Sequence, residues 1–351
     1  SRPWRHPAAR RGSPATNGRR ATSAVDPART GAAGGHAGRS WDRTAVSKET
    51  AMNETVVVGY DDSAESAAAV RWAAVEAVRF GAPLEVVHVW GFAGEPHGGA
   101  GTSRLGEQVL AAVQGVADAG ADIARKTAPG VEVSAVVRHG SVAEALVDLS
   151  HDALLVVVGR RGSGRVPGGL LGSVAHAVLH LAHCPVVVVP AVDAGSTPGV
   201  GSGEVVAGFD GSPGAYQALD AAAAAARVRG GGVRVLTAWS PASETRSMTY
   251  WAVAYPDASP GEVALGRAEH AQAEAREWWA TQHADVPVEW ELPVGLPVEA
   301  LVTASRDAGL VVVGARGRGG LASLLLGSVS RAVVHGAHGP VEVTRSAPVS
   351  S

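Results

Sequence analysis

Valine-rich apolar runs alternate with alanine-rich amphipathic stretches along most of this chain. In the first half Thr55–Gly59, Leu84–Trp90, Val131–Val137, Ala153–Val158 and Pro185–Val189 read as strands. Between them, Ser63–Phe80 carries a helical apolar stripe and stops at Gly81 and Pro83. Ser103–Thr127, Val142–Ser150 and Ser173–Leu181 read as further helices. The strand runs are apolar at successive positions, the pattern of strands covered on both faces, as in a parallel sheet. Alternating β and α elements around such a sheet predict a doubly wound α/β layer.

The pattern occurs twice. "VVVGYDDS" at 56–63 returns as "VVAGFDGS" at 205–212, an offset of 149. "VVRHGSVAEAL" at 136–146 returns as "ELPVGLPVEAL" at 291–301, and "HLAHCPVVVV" at 180–189 as "HGAHGPVEVT" at 335–344, both at an offset of 155. The extra six residues fall in mid-repeat, where the second copy holds a long loop, Ser240–Gly266, with Tyr250, Trp251 and Tyr255. A Gly/Ser/Pro-rich linker at 191–203 separates the copies, so the expected domains are 53–190 and 204–345.

Charge sets the first residues apart. Residues 1–50 carry nine Arg and one Lys against three acids, +7, so the remainder is -10 of the total -3. Without hydrophobic period, 1–52 reads as a disordered basic tail, and Met52 is the expected functional start. The acidic body argues against nucleic-acid binding. The apolar runs are too short for a membrane helix, and the single cysteine, Cys184, fits a reducing, cytoplasmic setting.

Candidate chemistry lies where the fourth strand of each copy ends. "GRRGSGRVPGGLLGS" and "GARGRGGLASLLLGS" share one frame: Gly159, Gly162, Gly172, Ser173, and Gly314, Gly317, Gly327, Ser328. Glycines let backbone N–H groups approach a ligand, and a helix N-terminus favours an anion. Ser173 is placed to cap that helix or reach a phosphate oxygen. Arg160, Arg161 and Arg165, and Arg316 and Arg318 in the second copy, add positive charge, which suits phosphates. Neither a Walker loop nor the dinucleotide fingerprint is present. Asp61 and Asp210 end the first strands, placed to accept ribose hydroxyls, to help hold a divalent cation, or only to cap the next helix.

These residues resemble the universal stress protein family, in its tandem form, over 53–345. The resemblance implies a five-stranded parallel sheet per domain with helices on both faces, and ATP, with Mg²⁺, at the glycine frame. It places Asp61 and Asp210 at the nucleotide and points to backbone at Val89 and Ala238 for the adenine. Thr237 stands where the family commonly has His. It also implies pairing through the last strands, here Pro185–Val189 with Pro340–Thr344, as an intrachain pseudo-dimer, with further self-association and a protein partner open. The expected role is a nucleotide-dependent regulator in the stress response rather than an enzyme; a slow ATPase and a nucleotide-free interaction module are the alternatives.

Other signals read as structural. His176, His180 and His183 recur at helical spacing, but no carboxylate or thiolate set completes a metal site in both copies. Cys184 reads as buried filler, and Trp90, Trp239, Trp278 and Trp279 as packing. The aromatic loop Ser240–Gly266 is expected either to lie beside the second crevice as a lid or to pack against the partner domain away from ligand.

Overall fold

A computed structural model describes residues 55–91, 104–163, 171–191, 203–241, 259–318 and 326–345. The tail, the linker at 192–202, Arg165 and the aromatic stretch 242–258 lie outside the described residues.

The first half runs β1 (Thr55–Gly59), α1 (Ala64–Phe80), β2 (Leu84–Trp90), α2 (Arg104–Thr127), β3 (Val133–His139), α3 (Val142–Leu149), β4 (Ala153–Gly159), α4 (Ser173–Leu181) and β5 (Val186–Val189). The second half runs β6 (Val205–Gly208), α5 (Pro213–Arg229), β7 (Val233–Leu236), α6 (Pro260–Gln282), β8 (Val288–Glu291), α7 (Pro297–Ala304), β9 (Leu310–Gly314), α8 (Ser328–Gly336) and β10 (Val341–Thr344). Local chemistry sets several of these ends. Ser63 Oγ accepts the Ser66 N–H at 3.1 Å and caps α1. Gly81 ends α1 at φ 64°, a left-handed turn that glycine adopts without a Cβ clash.

Two expectations need correcting. β3 starts two residues later than its apolar run, because Val131 packs at the core margin before the ladder with β2 begins at Val133. The expected loop Ser240–Gly266 already turns helical at Pro260. Ser259 and Glu262 form a reciprocal capping box, with the Ser259 N–H donating to Glu262 Oε2 at 2.7 Å.

Within each half the five strands are parallel, ordered β3-β2-β1-β4-β5 and β8-β7-β6-β9-β10. The halves share one ten-stranded sheet, because β5 and β10 pair antiparallel, with Val188 opposite Val341 and Val186 opposite Val343. Each last strand thereby loses its open edge, and all four residues of each are buried. Alternation divides the core by face. Val56, Val58, Val187 and Val189 pack under α1, α2, α5 and α6, whereas Val57, Val186, Val188 and Val341 pack under α3, α4, α7 and α8. Both clusters run through the junction, so the two halves share their cores.

Charge is buried at that junction. Glu76 of α1 is 1% exposed, and its Oε1 accepts from Arg79 at 2.6 Å. Arg229 Nη2, at the end of α5, lies 3.0 Å from the same oxygen, with its side chain fully enclosed. Its Nε and Nη1 have no hydrogen-bond partner among the described residues. The guanidinium sits 5.8 Å from the Trp72 ring centroid. Burial pulls the Arg229 pKa down, against the opposing fields of Glu76 and of Glu342, buried on β10.

Candidate functional site: the glycine frames at β4 and β9

β1 and β4 are neighbours, as are β6 and β9, and the chain winds away from each pair in opposite directions. These are the switch points where an open α/β sheet leaves a crevice at the strand carboxyl ends. Asp61 and Asp210 follow β1 and β6, and the glycine frames follow β4 and β9, so both enter the same crevice in each half.

The frame closes on itself. The Gly172 N–H donates to Arg160 O at 2.9 Å, and the Gly327 N–H to Ala315 O at 2.8 Å. The loop that leaves the strand therefore returns to its own start and opens the next helix. Asp61 ties this loop to the first strand: Oδ1 accepts the Ser63 N–H at 3.2 Å and Oδ2 the Ser163 N–H at 2.7 Å. Asp210 repeats the tie, with Ser212 N–H at 3.0 Å and Arg318 N–H at 3.2 Å. A Cβ on Gly162 would stand 2.6 Å from Asp61 Oδ2, and one on Gly317 would clash with Asp210 Oδ2 likewise. The middle glycine of each frame is required by the aspartate beneath it. None of the described frame glycines has the left-handed φ that would add a conformational reason.

Ser173 and Ser328 are the first helical residues and exposed; Gly172 and Gly327 are the N-caps, so of the two roles open to Ser173 capping is not the one it takes. In the second half the Ser330 hydroxyl ties the helix start to the loop, donating to Gly327 O at 3.0 Å and Ala315 O at 3.1 Å. Val89 lies on β2 opposite Arg138 of β3, and Ala238 just beyond β7. His88 Nδ1 lies 2.9 Å from Tyr60 O, whereas the corresponding Thr237 Oγ1 is buried with no partner among the described residues.

The second crevice is a cavity of about 1490 Å³ that gathers Asp210, Ala238, Gly314, Gly317, Gly327 and Ser328. Arg316, Arg318, Arg331 and Arg345 also line it, against one carboxylate among the described residues, that of Asp210. It extends across the junction to His176 and His180 of α4. These two rings lie 4.2 Å apart, and among the described residues no group of three or more His, Cys, Asp or Glu is placed to hold a metal.

The first crevice differs. Arg160, expected beside phosphate, reaches across the junction instead: Nη1 donates to His335 O at 2.9 Å and Ala337 O at 3.1 Å, at the end of α8. In the reverse direction, Arg345 Nη1 donates to Ala182 O at the end of α4, at 2.9 Å. Arg161 is also engaged. Glu65, 7% exposed, accepts from its Nε at 2.8 Å and from its backbone N–H. The sequence reading passed over Glu65, although the repeat carries a signal: its counterpart is Gly214.

Burial pushes the Asp61 carboxyl up, and hydrogen bonds from Ser63, Ser163 and Ser66 outweigh it, holding the pKa below the usual carboxylate value. A depressed folded pKa stabilises the protein above the unfolded value of 3.8, and that share is lost as pH falls through the folded value. Thermal midpoints recorded from about pH 6 to about pH 2.5 are therefore expected to fall less steeply for Asp61→Asn than for the wild type below about pH 4. Parallel curves would show that the tie contributes nothing to stability.

A doubly wound α/β protein with a closed glycine loop at each switch point is the class that fold and site define. The universal stress protein family model matches residues 52–190 and 202–345, and the chain belongs to that family. Universal stress protein Rv2005c of Mycobacterium tuberculosis is 35% identical over 300 residues, covering 83% of this chain and 96% of that protein. A universal stress protein of Mycolicibacterium smegmatis is 34% identical over 305 residues, covering 85% and 99%. The crystal structure of a universal stress protein from Archaeoglobus fulgidus superposes with a TM-score of 0.57 at 18% identity, covering 84% of this chain and 97% of that one, a likeness of fold. Among the described residues no helix is long and apolar enough to cross a membrane.

Proposed function

We propose that this protein binds adenine nucleotide, ATP with Mg²⁺, at its glycine frames and acts as a nucleotide-dependent regulator in the cytoplasmic stress response. One observation carries the reading. All six residues expected from the second frame and its flanking strands, Asp210, Ala238, Gly314, Gly317, Gly327 and Ser328, line a single cavity. Its volume exceeds the roughly 300–1,000 Å³ of ordinary small-molecule sites, so a nucleotide fits. The amino end of α8 and Arg316 and Arg318 suit a phosphate chain. With Asp210 as the one carboxylate lining it among the described residues, the Mg²⁺ would be carried mainly by the phosphates. Binding is favoured over turnover because both Asp210 oxygens already accept backbone N–H groups, a poor state for a general base.

Denaturing the purified full chain and analysing the released small molecules by mass spectrometry tests this directly. An adenine nucleotide is expected, together with a thermal shift on adding ATP to stripped protein. No released nucleotide and no shift with ATP, ADP or AMP at millimolar concentration rejects the proposal and favours the interaction module. Phosphate release on a catalytic timescale would reassign it to an ATPase.

A further inference from the structure

We infer that the two frames are not equivalent: Glu65 occupies the phosphate position of the first site, which leaves the second as the site for nucleoside polyphosphates. This rests on the nucleotide reading above and names the ligand class that each site takes.

Among the aligned positions that differ, three bear on the described part of the site. Glu65 corresponds to Gly214, Arg160 to Ala315 and Ser163 to Arg318, while Arg161 and Arg316 match. In the first half a buried carboxylate therefore meets the frame. Glu65 Oε1 lies 2.8 Å from both Nε and Nη2 of Arg161, and Oε2 accepts the Arg161 N–H. A backbone N–H at the start of a glycine loop, with a guanidinium beside it, is the donor set that receives a phosphate oxygen. Here a carboxylate already satisfies it. Arg160, the other described arginine of this frame, is turned to the carbonyls of α8. Asp61 and Glu65 thus set two carboxylates at the first frame, and its two described arginines, Arg160 and Arg161, are both held by protein acceptors.

In the second half Gly214 removes that carboxylate. A Cβ there would stand 2.6 Å from Arg316 O, so the second loop packs on the bare helix start where the first is held off by a side chain. Arg316 and Arg318 line the open cavity. A polyphosphate entering the first site must displace Glu65 and lie beside it as a like charge; in the second it meets cations. Adenosine, which carries no phosphate, meets no such penalty at the first site.

Calorimetric titration of the full chain with MgATP and with adenosine separates the possibilities. The wild type is expected to take one equivalent of MgATP tightly. Glu65→Gln, which keeps the shape and removes the charge, is expected to gain a second equivalent, with first-site affinity raised at least about tenfold. Adenosine binding should be unchanged by that substitution. Glu65→Ala, which removes the carboxylate and keeps Arg161, is a second variant expected to show the same gain should Glu65→Gln fold poorly, and Gly317→Val silences the second site so that the first is read alone. Two equal MgATP sites in the wild type would overturn the inference while leaving the nucleotide reading intact, as would one site in both proteins. No binding of either ligand to any variant would overturn both.

Discussion

Arg229→Ala is expected to lower the free energy of unfolding by about 3–5 kcal/mol, the range for breaking a buried ion pair from one side. Arg229 is enclosed, and it stands between Glu76 of the first half and the field of Glu342 of the second. Arg79 still reaches Glu76 at 2.6 Å after the substitution, but the favourable field between Arg229 and Glu342 is lost and a cavity opens beside Trp72. Exposed pairs give a contrasting scale. Arg125–Asp122 at 2.9 Å has side chains 53% and 59% exposed, and Arg125→Ala is expected to cost no more than about 1 kcal/mol. Chemical denaturation measures both. A loss below about 1 kcal/mol for Arg229→Ala would mean that water or relaxation already shields the group. Replacing Glu76, Arg229 and Glu342 together by apolar residues of similar volume should recover most of the loss, because no buried charge then lacks a counter-charge.

The second large effect is on binding. Gly317→Ala should weaken nucleotide at the second site by about 100-fold, while costing about 1–3 kcal/mol of stability as an overpacked contact. The added Cβ cannot coexist with Asp210 Oδ2 where it stands, so either the aspartate turns away or the loop lifts. Both outcomes break the Arg318 N–H tie and move the backbone that faces the cavity. Gly266→Ala, where a Cβ meets nothing within 4 Å, is the control, and it should leave binding unchanged and stabilise α6 slightly. Calorimetry on the two proteins distinguishes loss of the site from loss of the fold. Equal affinities would show that the middle glycine serves loop packing alone.

The sequence carried the elements well where one physical rule governed them. Valine runs gave strands, Gly81 gave the left-handed stop of α1, and the repeat in "HCPVVVV" and "HGPVEVT" gave the two strands that join the halves. The Ser259–Glu262 capping box was equally legible, yet the aromatic residues before it drew attention to a loop. The contacts of Arg160 and Arg161 have a different cause. Arg160 finds its acceptors 175 and 177 residues away, at the end of α8, and no local pattern specifies such a contact. Glu65 and Arg161 are 96 residues apart and meet only because β1 and β4 are adjacent. For the junction charges, Glu76 corresponds to Ala225, so the ion pair breaks the repeat and a single copy gives no warning of it. Asp61 and Asp210 stood out as the polar ends of the first strands, but their hold on the frame became visible only with the loop folded over them.

The central claim is that adenine nucleotide sits at the glycine frames, and photoaffinity labelling tests it most directly. The full chain is irradiated with an azido-adenine analogue of ATP, digested, and the labelled peptides are sequenced. Label is expected in the second half, on residues around Ala238 and the segments that line the cavity with Asp210 and Gly314–Ser328. Excess ATP should abolish it, and Gly317→Ala should reduce it strongly. Label that ATP does not displace, or that falls away from both crevices, would contradict the account.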